Sequence, residues 1–307
     1  MTFYLFLSLI LHIITSSAAE EWCYDIQTTA TSSCKGPSKW SEITDYAPCG
    51  GAKQSPIDIV TKNAKFDSNL IAFKFEGYDK ELELELTNNG HTAKLSQSKE
   101  TIQISGGGLS GTYIASQLHF HWGSTETSGS EHSLDGKKYP IELHIVHTKK
   151  EARSESSGGS TTSGAYAVLG FFFKEGKSND GYTNLINGLS EISYKDNITT
   201  VSKVKLQDLI PSDLKVFYRY EGSLTTPPCD EIVTWTLFAE PIELSKAQIE
   251  TFYGKLKYSD GIQMIENFRP IQNLNERTIS TSGVDVVLPH TRYLLISLFV
   301  FYFTSVS

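Results

Sequence analysis

Six histidines lie between residues 91 and 147, and five of them fall between 119 and 147: His119, His121, His132, His144 and His147. His119 and His121 are two apart, and on a β-strand residues i and i+2 point to the same face, so these imidazoles project side by side. His144 lies on the next strand-like segment, beyond a turn signal at Asp135-Gly136. If the two strands are neighbours, three imidazoles converge. Three neutral nitrogens bind zinc and leave a fourth tetrahedral position open, as in catalytic rather than structural sites. The same parity supplies partners, because Gln117 is two before His119 and Glu142 is two before His144. Each could accept the ring proton facing away from the metal and so fix the tautomer. A lone His-x-His is ordinary core packing; a third histidine and two polar partners in register make a metal site. A zinc-peptidase reading would need His-Glu-x-x-His on a helix, and that motif is absent.

The elements that must hold these residues are strands. Residues 117–122, 141–147, 165–173 and 231–238 are rich in β-branched and aromatic side chains and bounded by Gly, Ser, Asp or Pro. Residues 81–86 alternate Glu and Leu strictly, which predicts a half-buried strand. Helical periodicity is confined to 182–189 and 245–253, the second opening on Ser245 with Gln248 three residues on, a capping box. The 307 residues, 39% hydrophobic and 20% charged, have the composition of a globular chain. A formal net charge of -8 argues against a nucleic-acid partner, which needs clustered Lys and Arg. There is no internal repeat and no interdomain linker. Polar residues 153–164 form an exposed loop between two strands. The expectation is one predominantly β domain with short peripheral helices.

Both ends carry processing signals. Residues 3–14 are an apolar run followed by small residues up to Ala19, which predicts a leader over 1–19, cleaved after Ala18 or Ala19. Near the other end, Ser280-Thr281-Ser282-Gly283 precedes a mixed spacer and an apolar stretch at 293–303. That is the pattern of a glycosylphosphatidylinositol (GPI) signal, with 283–307 removed and the lipid on Ser282 or Ser280. A short transmembrane helix is the rival. The mature domain is then 20–282. Its four cysteines, Cys23, Cys34, Cys49 and Cys229, imply two disulfides with three possible connectivities. Asn197-Ile198-Thr199 is an N-glycosylation sequon and fits the same compartment.

Ser55-Pro56-Ile57-Asp58-Ile59, Asn88-Asn89-Gly90-His91, Gln117-Leu118-His119-Phe120-His121-Trp122-Gly123, Ser130-Glu131-His132, Glu142-Leu143-His144-Ile145-Val146-His147, Gly222-Ser223-Leu224-Thr225-Thr226-Pro227-Pro228 and Asn267-Phe268-Arg269-Pro270 resemble the α-class carbonic anhydrases, from about Trp22 to Arg277. The resemblance implies that family's fold, a large twisted, mostly antiparallel central sheet. It implies Zn2+ on His119, His121 and His144, with Gln117, Glu142 and Asn267 behind them. It implies a hydroxide nucleophile oriented by Thr225 and Glu131, and an apolar substrate wall of Val146, Val168, Leu224 and Trp235 with Thr226. His91 matches the proton shuttle, expected to be exposed and to titrate near neutrality, with Tyr24 in its hydrogen-bonded network. His132 and His147 match structural positions. Cis bonds are expected at Ser55–Pro56 and Pro227–Pro228, and disulfides at Cys23/Cys34 and Cys49/Cys229. The cysteines and the GPI-type tail look like the membrane-anchored, extracellular members. Implied partners are CO2 and bicarbonate, small anions or sulfonamide-type inhibitors, and a bicarbonate transporter, with the enzyme itself a monomer. A catalytically silent binding ectodomain of the same family is the rival, and ligand loss would mark it; here His119, His121, His144, Thr225, Glu131 and His91 are all intact.

Overall fold

The computed structural model describes residues 21–28, 34–96, 102–124, 128–151, 163–259 and 261–283. The expected leader, the expected tail and most of the 153–164 loop lie outside the described residues. A 12-stranded sheet forms the body of the described chain. Its main strands are β1 (Leu82–Asn88), β2 (Ala93–Ser96), β3 (Tyr113–Trp122), β4 (Ile141–Lys149), β5 (Tyr166–Glu175), β6 (Ile198–Val204), β7 (Phe217–Gly222) and β8 (Val233–Leu244). They lie in the order β6-β1-β2-β3-β4-β5-β8-β7, continued by short strands at Ser280–Thr281 and Lys65–Phe66. The β5–β8 pair is parallel, as is the pair of short strands, and the other described pairings among these strands are antiparallel.

Strand parity divides the molecule. Leu118 and Phe120 on β3, Leu143 and Ile145 on β4, and Leu169, Phe171 and Phe173 on β5 enter one large core. Two helices, α1 (Thr183–Leu189) and α2 (Lys246–Lys255), add Leu185, Leu189, Ile249 and Phe252 to it. The opposite face carries a smaller cluster that includes Val146, Val168, Phe172, Tyr220 and Trp235. Both faces of β4 and β5 are covered, so β5 reads as a nearly continuous apolar run and β4 buries Glu142, His144 and His147 among its apolar residues, whereas β1 alternates as the sequence predicts. The capping box at Ser245 and Gln248 is formed.

The strands outrun the sequence segments. β8 continues to Leu244 although Pro241 marks a stop, because the proline falls where the register against β5 shifts, between the Phe171–Phe238 and Phe173–Ile242 pairs. A residue without an N–H is tolerated at such an irregularity. Both expected disulfides, Cys23–Cys34 and Cys49–Cys229, are present, as are both cis bonds.

Candidate metal centre

The β3–β4 register places His144 directly opposite His119, and Glu142 opposite His121. Behind each histidine stands an oxygen that can only accept. His119 Nδ1 donates to Gln117 Oε1 at 2.8 Å, His121 Nδ1 to the Asn267 carbonyl at 2.8 Å, and His144 Nε2 to Glu142 Oε1 at 2.7 Å. These bonds fix the tautomers. The lone pairs therefore sit on His119 Nε2, His121 Nε2 and His144 Nδ1, and a ring nitrogen of each histidine lies within 4.8 Å of the others. Gly170 of β5 makes room behind His144: a Cβ there would run into Leu237 Cδ1 and lie 3.4 Å from Glu142 Oε1.

Two observations fit a cation at that point. His121 Nε2 is buried with no hydrogen-bond partner. His119 Nε2 and His144 Nδ1 face each other at 3.3 Å with a lone pair on each, so no hydrogen bond joins them. A tetrahedral zinc with arms of about 2.0–2.1 Å has ligand nitrogens about 3.3–3.4 Å apart. Burial holds His119 well below the usual imidazole range and lowers His121, and mutual repulsion within the triad adds to both. His119 and His121 are thus held toward the neutral form, the form a metal needs.

His132, Glu142 and His144 also cluster, but their atoms are already engaged. His132 Nδ1 donates to Glu142 Oε1 at 2.7 Å, and its Nε2 meets the Tyr220 hydroxyl at 2.7 Å. Glu142 Oε2 accepts from the His132 backbone N–H at 2.8 Å. Burial pushes the Glu142 carboxyl up, yet the two imidazoles, by charge and hydrogen bond, hold it well below the usual carboxylate range. His147 likewise bonds, to Tyr78 Oη at 2.8 Å and the Ala167 carbonyl at 3.2 Å. Both histidines are structural, as expected.

Glu131 is fully buried beside the triad. Its Oε1 accepts from the Arg269 backbone N–H at 2.8 Å, and its Oε2 lies 3.4 Å from His121 Nε2 with no hydrogen-bond partner. Thr225 is buried on the loop after β7, and the expected bond from its hydroxyl to Glu131 is not formed. That loop is held by Ser223 N–H on Ser55 Oγ at 3.1 Å, Cys229 N–H on the Thr226 carbonyl at 2.9 Å, and the bridge from Cys229 to Cys49. Trp235 Nε1 donates to the Ser223 carbonyl at 2.9 Å.

The apolar wall is a row across three strands: Val146 of β4 pairs with Val168 of β5, which pairs with Trp235 of β8. Leu224 packs on the same cluster, the Trp235 ring lies 4.7 Å from that of His144, and Thr226 is half-buried beside it in sequence.

His91 differs from expectation. Asn89 Oδ1 accepts from the His91 and Thr92 N–H groups, both at 2.9 Å, and fixes the loop. The ring stacks on Trp22 at 3.8 Å and 13°. This burial, with Lys195 nearby, lowers its pKa to about 4. Tyr24 is buried and stands edge-on to His91 at 6.3 Å. Asn267 ties the His91 loop to the triad: its side chain donates to the His91 and Phe120 carbonyls, both at 3.1 Å, while its own carbonyl holds His121. Sequence reasoning missed Trp22, which has no signal, and Arg269, which stood in a quoted motif without a role.

Residues 35–283 match the family model for eukaryotic-type carbonic anhydrases. The chain is 42% identical over 285 residues to "Carbonic anhydrase 4" of Oryctolagus cuniculus, covering 91% of this chain and 90% of that protein. It is 40% identical over 277 residues to "Carbonic anhydrase 4" of Rattus norvegicus, covering 88% and 87%. Against "Carbonic anhydrase 12" of Homo sapiens the identity is 37% over 256 residues, covering 80% and 71%.

Proposed function

The chain belongs to the eukaryotic-type carbonic anhydrases, and we propose that it is a zinc enzyme hydrating CO2 reversibly at the outer face of the plasma membrane, held there by a GPI anchor. The observation that carries the catalytic reading is three histidines whose back-side hydrogen bonds aim three lone pairs at one point. A zinc ion held by His119, His121 and His144 would act as a Lewis acid and make water nucleophilic near neutral pH, as is general in this family.

The chain's own residues do the rest. An ionised Glu131 can only accept, and its Oε2 is the acceptor left for the Thr225 hydroxyl. Once Thr225 donates there, its oxygen can only accept, which fixes the direction from which the attacking oxygen meets carbon. Val146, Val168, Leu224 and Trp235 offer the apolar surface that an uncharged linear substrate needs, with Thr226 at its rim. Forming the carbon–oxygen bond of bicarbonate releases one proton, and His91 carries it out through Tyr24's surroundings. The stacked ring titrates too low for that task, so shuttling requires it to leave Trp22.

Two disulfides, the leader, the sequon at Asn197 and the tail after Ser282 support the cell-surface reading. Among the described residues no helix is long and apolar enough to cross a membrane. Small anions and sulfonamide-type inhibitors would compete at the metal position, and a bicarbonate transporter is the partner whose substrate this reaction supplies. The protein acts as a monomer. Stopped-flow CO2 hydration with and without a zinc chelator tests the reading. Activity lost on chelation and restored by zinc is expected; a zinc-loaded protein that leaves the hydration rate at background would overturn it.

A further inference from the structure

The turn Tyr194-Lys195-Asp196-Asn197 lies between α1 and β6. Asn197 N–H donates to the Tyr194 carbonyl at 3.0 Å, and Asp196 takes a left-handed φ of 68°, so a tight β-turn brings residues 194 and 197 together. Asn197 Oδ1 accepts from the Tyr194 N–H at 3.0 Å, which fixes the amide, while its Nδ2 has no hydrogen bond among the described residues. Tyr194 is 45% exposed and Ile198 60% exposed, an uncovered apolar pair on either side of an exposed asparagine. Lys257 positions the Tyr194 ring, its Nζ 4.8 Å from the centroid and 3.2 Å from the hydroxyl.

We infer that Asn197 carries an N-linked glycan whose first sugar packs its C–H face on Tyr194 and locks this turn. The inference rests on the cell-surface reading, because the sugar is transferred only along the secretory route. In that transfer Nδ2 attacks the anomeric carbon of a polyprenyl-pyrophosphate-linked oligosaccharide. The carbon–nitrogen bond forms, the anomeric carbon–oxygen bond breaks, the pyrophosphate leaves with the electron pair, and the amide gives up one proton. The sequon's Thr199 sits two residues on, at the start of β6. An aromatic ring three residues before the asparagine, across a closed turn, is where the first sugar can reach it. Covering an exposed ring face removes apolar surface from water, and the turn pays no added ordering cost because it is already closed by two hydrogen bonds. The gain reaches the catalytic side, since the turn is docked on the loop that ends at His91. Asn88 N–H donates to the Asn197 carbonyl at 3.1 Å, and Asp196 N–H to the Asn88 carbonyl at 2.7 Å.

The full chain is made in secreting animal cells, and the peptide containing Asn197 is read by mass spectrometry. A glycan on Asn197 is expected. Unmodified Asn197 in a protein that reaches the cell surface with its leader removed overturns the inference and leaves the surface reading standing. A cytosolic protein with its leader intact overturns both. Urea unfolding then compares the glycosylated chain with Thr199→Ala, which keeps Asn197 but blocks transfer, in Tyr194, Tyr194→Phe and Tyr194→Ser backgrounds. Loss of the glycan should raise the unfolding equilibrium constant about three- to tenfold more with Tyr or Phe than with Ser. Trimming to the first sugar with an endoglycosidase should preserve the difference. An equal effect in all three backgrounds means that Tyr194 is no platform.

Discussion

Replacing Glu142 by Gln keeps the side chain's size and removes one of its two acceptor oxygens. Oε1 now takes two donors, His144 Nε2 and His132 Nδ1, both at 2.7 Å, and Oε2 takes the His132 backbone N–H at 2.8 Å. A glutamine can present its oxygen to only one side. If the amide oxygen faces the imidazoles, its NH2 meets the His132 N–H, and a buried donor left without an acceptor costs about 1–3 kcal/mol. If the NH2 faces the imidazoles, His144 must move its proton to Nδ1, which fills the lone pair aimed at the metal. Either way the site binds metal in a disfavoured state. The expected loss of zinc affinity is about 10–100-fold, equivalent to about 1.4–2.7 kcal/mol. Competition against a chromogenic chelator at pH 7.5 measures it, with circular dichroism to show that the fold persists. Hydration at saturating zinc should recover most of the wild-type rate. A dissociation constant within about threefold of wild type would show that the tautomer argument is wrong.

His147 is buried neutral with its pKa lowered to about 4, against 6.5 in an unfolded chain. The unfolded state therefore binds more protons below pH 6.5, and stability falls as pH drops from 6.5 toward 4. This residue alone should remove about 2 kcal/mol between pH 7 and pH 5; His147→Gln should show that much less pH dependence in urea unfolding, and an unchanged slope refutes it. Trp22→Ala should raise the His91 pKa from about 4 toward 6.5 in an NMR titration, because the stacked indole supplies the burial; a value still near 4 would assign the shift to Lys195. His91→Ala should slow turnover in weak buffer and be partly rescued by small imidazoles, while a rate independent of buffer concentration makes His91 a bystander. Phosphatidylinositol-specific phospholipase C should release active enzyme from intact cells, whereas a membrane-bound product retaining residues 293–303 would replace the anchor by a short membrane helix.

The anchor position gains a structural argument. Ser280 and Thr281 pair with Arg219 and Tyr218 on one side and with Lys65 and Phe66 on the other. Ser282 adds its N–H to the Phe217 carbonyl at 3.1 Å and its Oγ to the Lys215 carbonyl at 2.8 Å. Attachment at Ser280 would strip Thr281 and Ser282 from this edge and leave the Tyr218 and Phe66 strands facing water, whereas attachment at Ser282 keeps every one of these bonds. If the chain is anchored as proposed, these bonds favour Ser282 over Ser280, although Val284 is larger than such signals favour two residues on.

What was legible in the sequence was whatever parity decides. His119, His121 and His144 had to share a face once their strands were neighbours, and Gln117 and Glu142 followed by the same count of two. The wall residue Val146 came from it as well. The third ligand support was not legible by that route, because the group behind His121 is a backbone carbonyl, and any residue at position 267 has one. Only the side chain of Asn267, bonded to Trp122 N–H at 2.6 Å and to two carbonyls, explains why asparagine stands there. The state of His91 was hidden for a different reason. Its loop is local and its Asn-Asn-Gly turn is readable, but its partner Trp22 comes from 69 positions earlier, on the segment clipped by Cys23–Cys34. No period links an N-terminal tryptophan to a loop histidine; the disulfide and the packing of Trp22 edge-on against Trp40 and Tyr24 put them together. The histidine triad is thus built on neighbouring strands, where spacing alone specifies geometry. The proposed way out for the proton instead joins the His91 loop to the short N-terminal strand Glu21–Trp22, and it depends on whether one ring stays stacked on another.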